Sequence, residues 1–125
     1  MESYHFHTNP VAKPRMTQRD KWKKRPVVDK YYAYKDAMNA EALQMGLPGI
    51  PGRIESLIFH VQMPKSWSKK KKEAMNGKPH RQTPDLDNLL KAFQDALCTE
   101  DKHVYAIAAG LGKFWSHEGF TILTI

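Results

Sequence analysis

Five residues between positions 85 and 101 carry side chains that could act together: Asp85, Asp87, Lys91, Asp95 and Asp101. On a helical wheel at about 100° per residue, Asp87, Lys91 and Asp95 fall about 40° apart. They lie opposite an apolar stripe of Leu86, Leu89, Leu90, Phe93, Ala96 and Leu97. If Asp85 stands just before that helix as its cap, it swings toward Asp87. Asp101 follows the short connection Cys98-Thr99-Glu100, and a strand from about Val104 returning alongside the helix would bring it near both carboxylates. Carboxylates gathered without a cation repel and raise one another's pKa, so the cluster calls for a counter-charge. Mg²⁺ is held by a few carboxylates together with waters and a substrate phosphate, and it assists attack of water on phosphorus. Phosphodiester hydrolysis is the chemistry this set would serve.

The same residues have a plainer reading. Asp is favoured at any helix N-terminus by capping and by the helix dipole. Asp87 with Lys91, and Lys91 with Asp95, are ordinary i,i+4 ion pairs, and Asp101 could cap a turn.

Charge distribution bears on the choice. Twenty Lys and Arg against thirteen Asp and Glu give +7 and a sequence pI near 9.5, which points to a polyanionic partner. Residues 13–25 hold Lys13, Arg15, Arg19, Lys21, Lys23, Lys24 and Arg25 against the single acid Asp20. Residues 65–81 hold Lys65, Lys69, Lys70, Lys71, Lys72, Lys78 and Arg81 against Glu73. Each arm is +6, which leaves the rest of the chain at −5. An acidic pit between two basic arms suits DNA. Lys69–Lys72 alone read equally well as a solvated face. Yet with Ser66 or Ser68 as cap they sit at a helix N-terminus, where the dipole disfavours cations, and that local penalty suggests gripping of DNA.

The elements that must position these residues follow from periodicity. Tyr4 to Met16 reads as an irregular strand, broken by Pro10 and Pro14. Pro26 opens a helix on which Val27, Tyr31, Tyr34, Met38, Ala42 and Met45 recur, and Gly46 stops it. Leu57, Phe59, Val61 and Met63 alternate with Glu55, Ile58, His60 and Gln62 as a half-buried strand. Residues 64–83 form a basic connection with one short helix ending at Asn76-Gly77. The helix from about Asp85 to Leu97 follows, then strands over about Val104–Trp115 and Gly119–Ile125 with a turn at His117-Glu118-Gly119. The order β-α-β-(α)-α-β-β predicts one α+β domain over residues 1–125, a small mixed sheet packed by two main helices.

Composition excludes other classes. At 125 residues, 41% hydrophobic and 26% charged, the chain suits one soluble domain. It has no apolar run of membrane-span length and no export signal at Met1-Glu2-Ser3-Tyr4-His5. The lone Cys98 forms no internal disulfide, so a reducing cytoplasm is the simplest setting, with Cys98 as a packed thiol. Trp67 reads as packing on the body or stacking on an unpaired base. Tyr31, Tyr32 and Tyr34 read as core or dimer contacts. His5 and His7 share a strand face but lack a third ligand, and His103 is open as a base or a second group behind the acids.

Pro84-Asp85-Leu86-Asp87-Asn88-Leu89-Leu90-Lys91, then Asp95-Ala96-Leu97, then Glu100-Asp101-Lys102-His103-Val104, resembles the RusA family of Holliday junction resolvases. Pro14-Arg15-Met16-Thr17-Gln18-Arg19-Asp20-Lys21-Trp22 also looks like the opening of phage and prophage members. Glu100 stands where many members have Asp, and His103 where Gln is common. The resemblance implies that Asp85, Asp87 and Asp101 are metal-binding catalytic acids and that Lys91 is a catalytic basic residue. It further implies a homodimer that nicks a four-way junction symmetrically with Mg²⁺, or Mn²⁺ as a substitute, inside a bacterial host cell. A nuclease for flaps or forks, and a non-catalytic DNA-binding protein whose acids only cap and pair, are the alternatives.

Overall fold

The computed structural model describes residues 2–15, 25–98 and 103–125. Seven elements follow in the expected order: β1 (Ser3–Phe6), α1 (Pro26–Gln44), β2 (Arg53–Gln62), α2 (Lys69–Met75), α3 (Leu86–Leu97), β3 (Ala106–Ser116) and β4 (Phe120–Thr124). The fold is α+β, a four-stranded mixed sheet with strand order β1-β4-β2-β3. The pair β2–β3 is parallel; β4 is antiparallel to both β2 and β1. A parallel pair needs a crossover, and α3 lies in the connection that makes it.

The alternation of β2 decides which face is covered. Leu57, Phe59 and Val61 are buried under the helices, and a register shift between Ile54 and Ser56 lets Ile54 join them although it is three residues from Leu57. Phe93 of α3 meets Phe6 and Phe59 edge-on, at centroid distances of 6.1 and 6.3 Å, so one ring joins α3 to two strands.

Two departures from the sequence reading concern the first strand and the first helix. Only Ser3–Phe6 of the N-terminal stretch pairs as a strand, because Pro10 and Pro14 each lack a donor for a ladder. The buried face of α1 begins at Val28 rather than Val27, which is 44% exposed. The turn expected at 117–119 is present and joins strands that are not neighbours: it carries the chain over the end of β2, so β3 and β4 flank that strand. Gly119 sits so close to Asn9 that an added Cβ would overlap the Asn9 side chain, and Asn9 Oδ1 accepts the Gln62 N–H at 3.1 Å.

The end of α1 is a Schellman cap. Leu47 N–H donates to Ala42 O at 3.0 Å and Gly46 N–H to Leu43 O at 3.2 Å, with Gly46 at φ 70°. Gly46→Ala places a Cβ in the left-handed region at a cost of about 1–2 kcal/mol. A thermal melt should therefore shift down by about 4–8 °C, and an unchanged midpoint would show that the cap does not hold α1.

Candidate active site

Asp85 is the N-cap residue of α3 by backbone position, with φ −67° and ψ 151°, and its carbonyl accepts the Leu89 N–H at 3.1 Å. Its carboxylate makes no capping hydrogen bond. The side chain is exposed at the rim of a cleft of about 510 Å³ whose walls include Asn9, Val11, Val27, Lys30 and Asn88. Asp87, in the first turn of the helix, is 70% exposed, and its only described partner is Lys91 Nζ at 3.8 Å. A pair that open contributes little to stability. These two carboxylates and one ammonium group are thus displayed at the surface rather than consumed by the fold.

Asp95 has a different role. Its Oδ2 accepts the Tyr31 hydroxyl and lies 3.1 Å from Lys35 Nζ, while Lys13 Nζ is 3.9 Å from Oδ1. Burial acts to raise the Asp95 pKa, but the Tyr31 hydroxyl, Lys35 and Lys13 outweigh it and hold the carboxyl below its usual range. Asp95 joins α3 to α1, and Lys13, expected on DNA, is engaged there. His103 Nε2 contacts the Ile50 carbonyl, and Cys98 is half-buried against the core with its thiol pKa raised by burial.

What precedes Asp85 is fixed by a residue that the sequence reading passed over. Lys113 Nζ donates to Gln82 O and Pro84 O, both at 2.6 Å. Lys113 pairs in register with the buried Phe59, so a lysine alternating with Leu111 and Trp115 on the covered side of β3 was the available signal. Asn9 and Lys30 were missed as well, and no periodicity marks them. Lys113, in the second half of β3, is what reaches the Asp85 loop. Cys98 and His103 stand together beside Ile50 at the other end of α3, about 18 Å of helix away for its 12 residues. Asp101 itself lies outside the described residues, as do Arg19, Lys21, Lys23 and Lys24.

The second basic segment is described throughout. Lys69–Lys72 form the first turn of α2, capped by Ser68 Oγ, which accepts the Lys71 N–H at 3.1 Å. No acid in that turn offsets the dipole and no residue of α2 is buried. Trp67 packs on Trp115, with centroids 4.8 Å apart, and Lys71 Nζ lies 4.2 Å from the Trp67 ring centre. The helix is thereby docked at the end of β3, where Lys113 also meets the Asp85 loop. Arg81 is exposed in the segment leading to Asp85. Arg15 is exposed, and its carbonyl accepts from Arg25 Nη2 at 2.6 Å, just ahead of α1.

Among the described residues no three His, Cys, Asp or Glu side chains group closely enough to hold a metal ion. Asp85 and Asp87 supply hard oxygen donors, unclaimed by capping and open to water. One or two carboxylates plus phosphate oxygens is the usual protein share in binding Mg²⁺, which keeps several of its waters. The residues present fit such a cation.

Asp85 thus stands at the rim of a cleft that also holds Lys30, with the exposed Asp87 in the same helix turn, on an α+β scaffold. The chain matches the family described as Endodeoxyribonuclease RusA over residues 7–125 and belongs to that family. The family is one of Holliday junction-resolving endonucleases. No curated protein and no solved structure matches the chain. Among the described residues no helix is long and apolar enough to cross a membrane.

The Asp95 contacts set a pH dependence. A carboxyl held below its unfolded value stabilises the fold above about pH 4, and that contribution is lost as pH falls through the folded value. Asp95→Asn should lower the melting temperature at pH 7, and the gap to wild type should close as the pH falls below about 4. A gap that is constant with pH would mean that the charge of Asp95 does not hold α1 to α3.

Proposed function

We propose that this protein is a divalent-metal-dependent, structure-selective endodeoxyribonuclease that resolves four-way DNA junctions by paired nicks. The observation that carries the reading is the Asp85 carboxylate at the rim of the cleft, at a helix cap yet unused for capping, with the exposed Asp87 two residues on in the first turn. Family membership supports the reaction class.

Asp85 and Asp87 would hold Mg²⁺, with Mn²⁺ as a substitute, and Asp101 is the third acid of the matching motif. When bound, the cation supplies Lewis acidity toward the phosphodiester. Water attacks phosphorus in line, the bond to the 3′-oxygen breaks, and the strand ends as a 3′-hydroxyl and a 5′-phosphate. Lys91, one turn from Asp87, would contact the phosphate and offset charge that builds on its oxygens. Lys30, across the cleft, would hold the strand as it enters. Lys69–Lys72, Arg81 and Arg15 would grip the arms, with affinity drawn mainly from phosphates. A two-fold homodimer matches the near two-fold symmetry of a junction.

The deciding experiment incubates an end-labelled synthetic four-way junction with and without Mg²⁺ and maps the cuts. Symmetric nicks in opposing strands, seen only with the metal, are expected; equal cutting of flaps or forks would reassign the substrate. Asp87→Asn should abolish cutting while leaving junction binding within a few-fold of wild type. Wild-type rates from that variant would remove Asp87 from the metal site. Asp101→Asn cutting at the wild-type rate would leave the two helix acids as the whole set.

Replacing Lys69 through Lys72 with Ala should weaken junction binding and flatten the plot of log affinity against log salt. The slope should fall by about 0.9 for each phosphate that is no longer neutralised. An unchanged slope would take α2 out of the interface.

A further inference from the structure

The cleft beside Asp85 has walls that suit a phosphate poorly. Of the eleven described residues that line it, six are apolar: Pro10, Val11, Ala12, Val27, Val61 and Pro84. Among those eleven, Asp85 is the one acid and Lys30 the one base. Pro10 and Val61 are themselves buried, so part of the wall is fixed by the fold. Val27 stands in the first turn of α1, 44% exposed and outside the core that begins at Val28. A side chain of this kind gains nothing there from core packing; what it does is make the cleft apolar.

Two amides supply most of the uncharged polar chemistry. Asn9 Oδ1 accepts the Gln62 N–H at 3.1 Å, which fixes the orientation of that amide. Its NH₂ group is left with no partner among the described residues. The Asn88 side chain, next to Asp87 on α3, likewise makes no hydrogen bond among the described residues. At about 510 Å³ the cleft has the size of a site for a small organic molecule, and such sites are mostly apolar with a few placed polar groups.

We propose that this cleft seats one nucleobase, unstacked from the strand that is cut, while the sugar–phosphate chain stays at the rim with Asp85. The proposal rests on the nuclease reading above and names the part of the DNA that enters its site. Lys30 then meets the backbone of the strand whose base is seated. Asn9 and Asn88 meet the edge of the base.

The argument for a base over a phosphate is one of matching chemistry. A base is uncharged, its faces pack on apolar side chains, and its edge carries the donors and acceptors that an amide pairs with. A phosphate deep in the same space would face the Asp85 carboxylate with Lys30 alone to offset it, and it would leave its oxygens against Val and Pro side chains. Drawing a base from its stack costs least where stacking is already interrupted, and the exchange point of a four-way junction is such a place.

The test uses 2-aminopurine, a fluorescent analogue of adenine that is dark while stacked, placed in turn at each nucleotide next to the exchange point of a synthetic four-way junction. Saturating protein is added in EDTA, so that no strand is cut. Because no aromatic ring lines the cleft among the described residues, a seated base should brighten several-fold at one position in each of two opposing strands. Val27→Trp puts an indole at the seat and should quench that brightening. Should this variant not fold, Val27→Tyr makes the same test with a smaller ring. Leu43→Trp, at an exposed position near the other end of α1, should leave the brightening at its wild-type amplitude. No brightening at any position would overturn the proposal. So would brightening that the ring at position 27 leaves unchanged, since the junction would then open without filling the cleft. The readout needs no metal, so a protein that seats the base but never cuts with Mg²⁺ would sink the nuclease reading alone. One that cuts without brightening would sink the seat alone.

Discussion

The position of α3 rests on one partly buried carboxylate. Asp95 receives a hydroxyl and two ammonium groups from α1 and from the segment before it, and these contacts set how α3 lies on the sheet. The apolar contacts of Leu89, Ala92 and Phe93 supply the larger share of the burial, but apolar packing is non-directional. The polar contact specifies rotation and slide. Asp95 is turned toward α1, while Asp87 in the first turn and Lys91 at mid-helix remain exposed.

The site is held from its other side by Lys113. Its ammonium group binds two carbonyls of the segment before Asp85, so the loop takes its position from the sheet and not from its own sequence. The two acids proposed to hold the metal are therefore framed by two charged residues whose contacts are structural. Asp95 anchors the helix and Lys113 anchors the approach to it, while Asp85 and Asp87 remain open to solvent and ligand.

Much of this was legible in the chain beforehand. The apolar stripe of α3, the alternation of β2 and the proline and glycine bounding α1 each carry a local period or a local steric rule, and those elements fall where expected. The two displayed acids were legible by type and spacing. What was not legible depends on contacts between segments distant in sequence. A helical wheel puts Asp95 on the face of Asp87 and Lys91, and only the docked position of α1 shows that Tyr31 and Lys35 claim it. Asn9, Lys30 and Lys113 reach the site through topology. The insertion of β4 between β1 and β2 likewise leaves no local trace, since a turn at 117–119 serves a hairpin as well as a jump across a strand end.

That insertion governs the order in which the molecule can be put together. Strand β1 pairs with β4 alone, and β4 comes latest of all the strands in the sequence. Asn9, a cleft wall, follows directly from β1 and presses against Gly119 at the start of β4. During synthesis, then, the earliest strand waits for the last one before it has a neighbour, and one wall of the cleft waits with it. A ribosome-bound fragment that lacks β4 can present the acidic helix but not the finished groove.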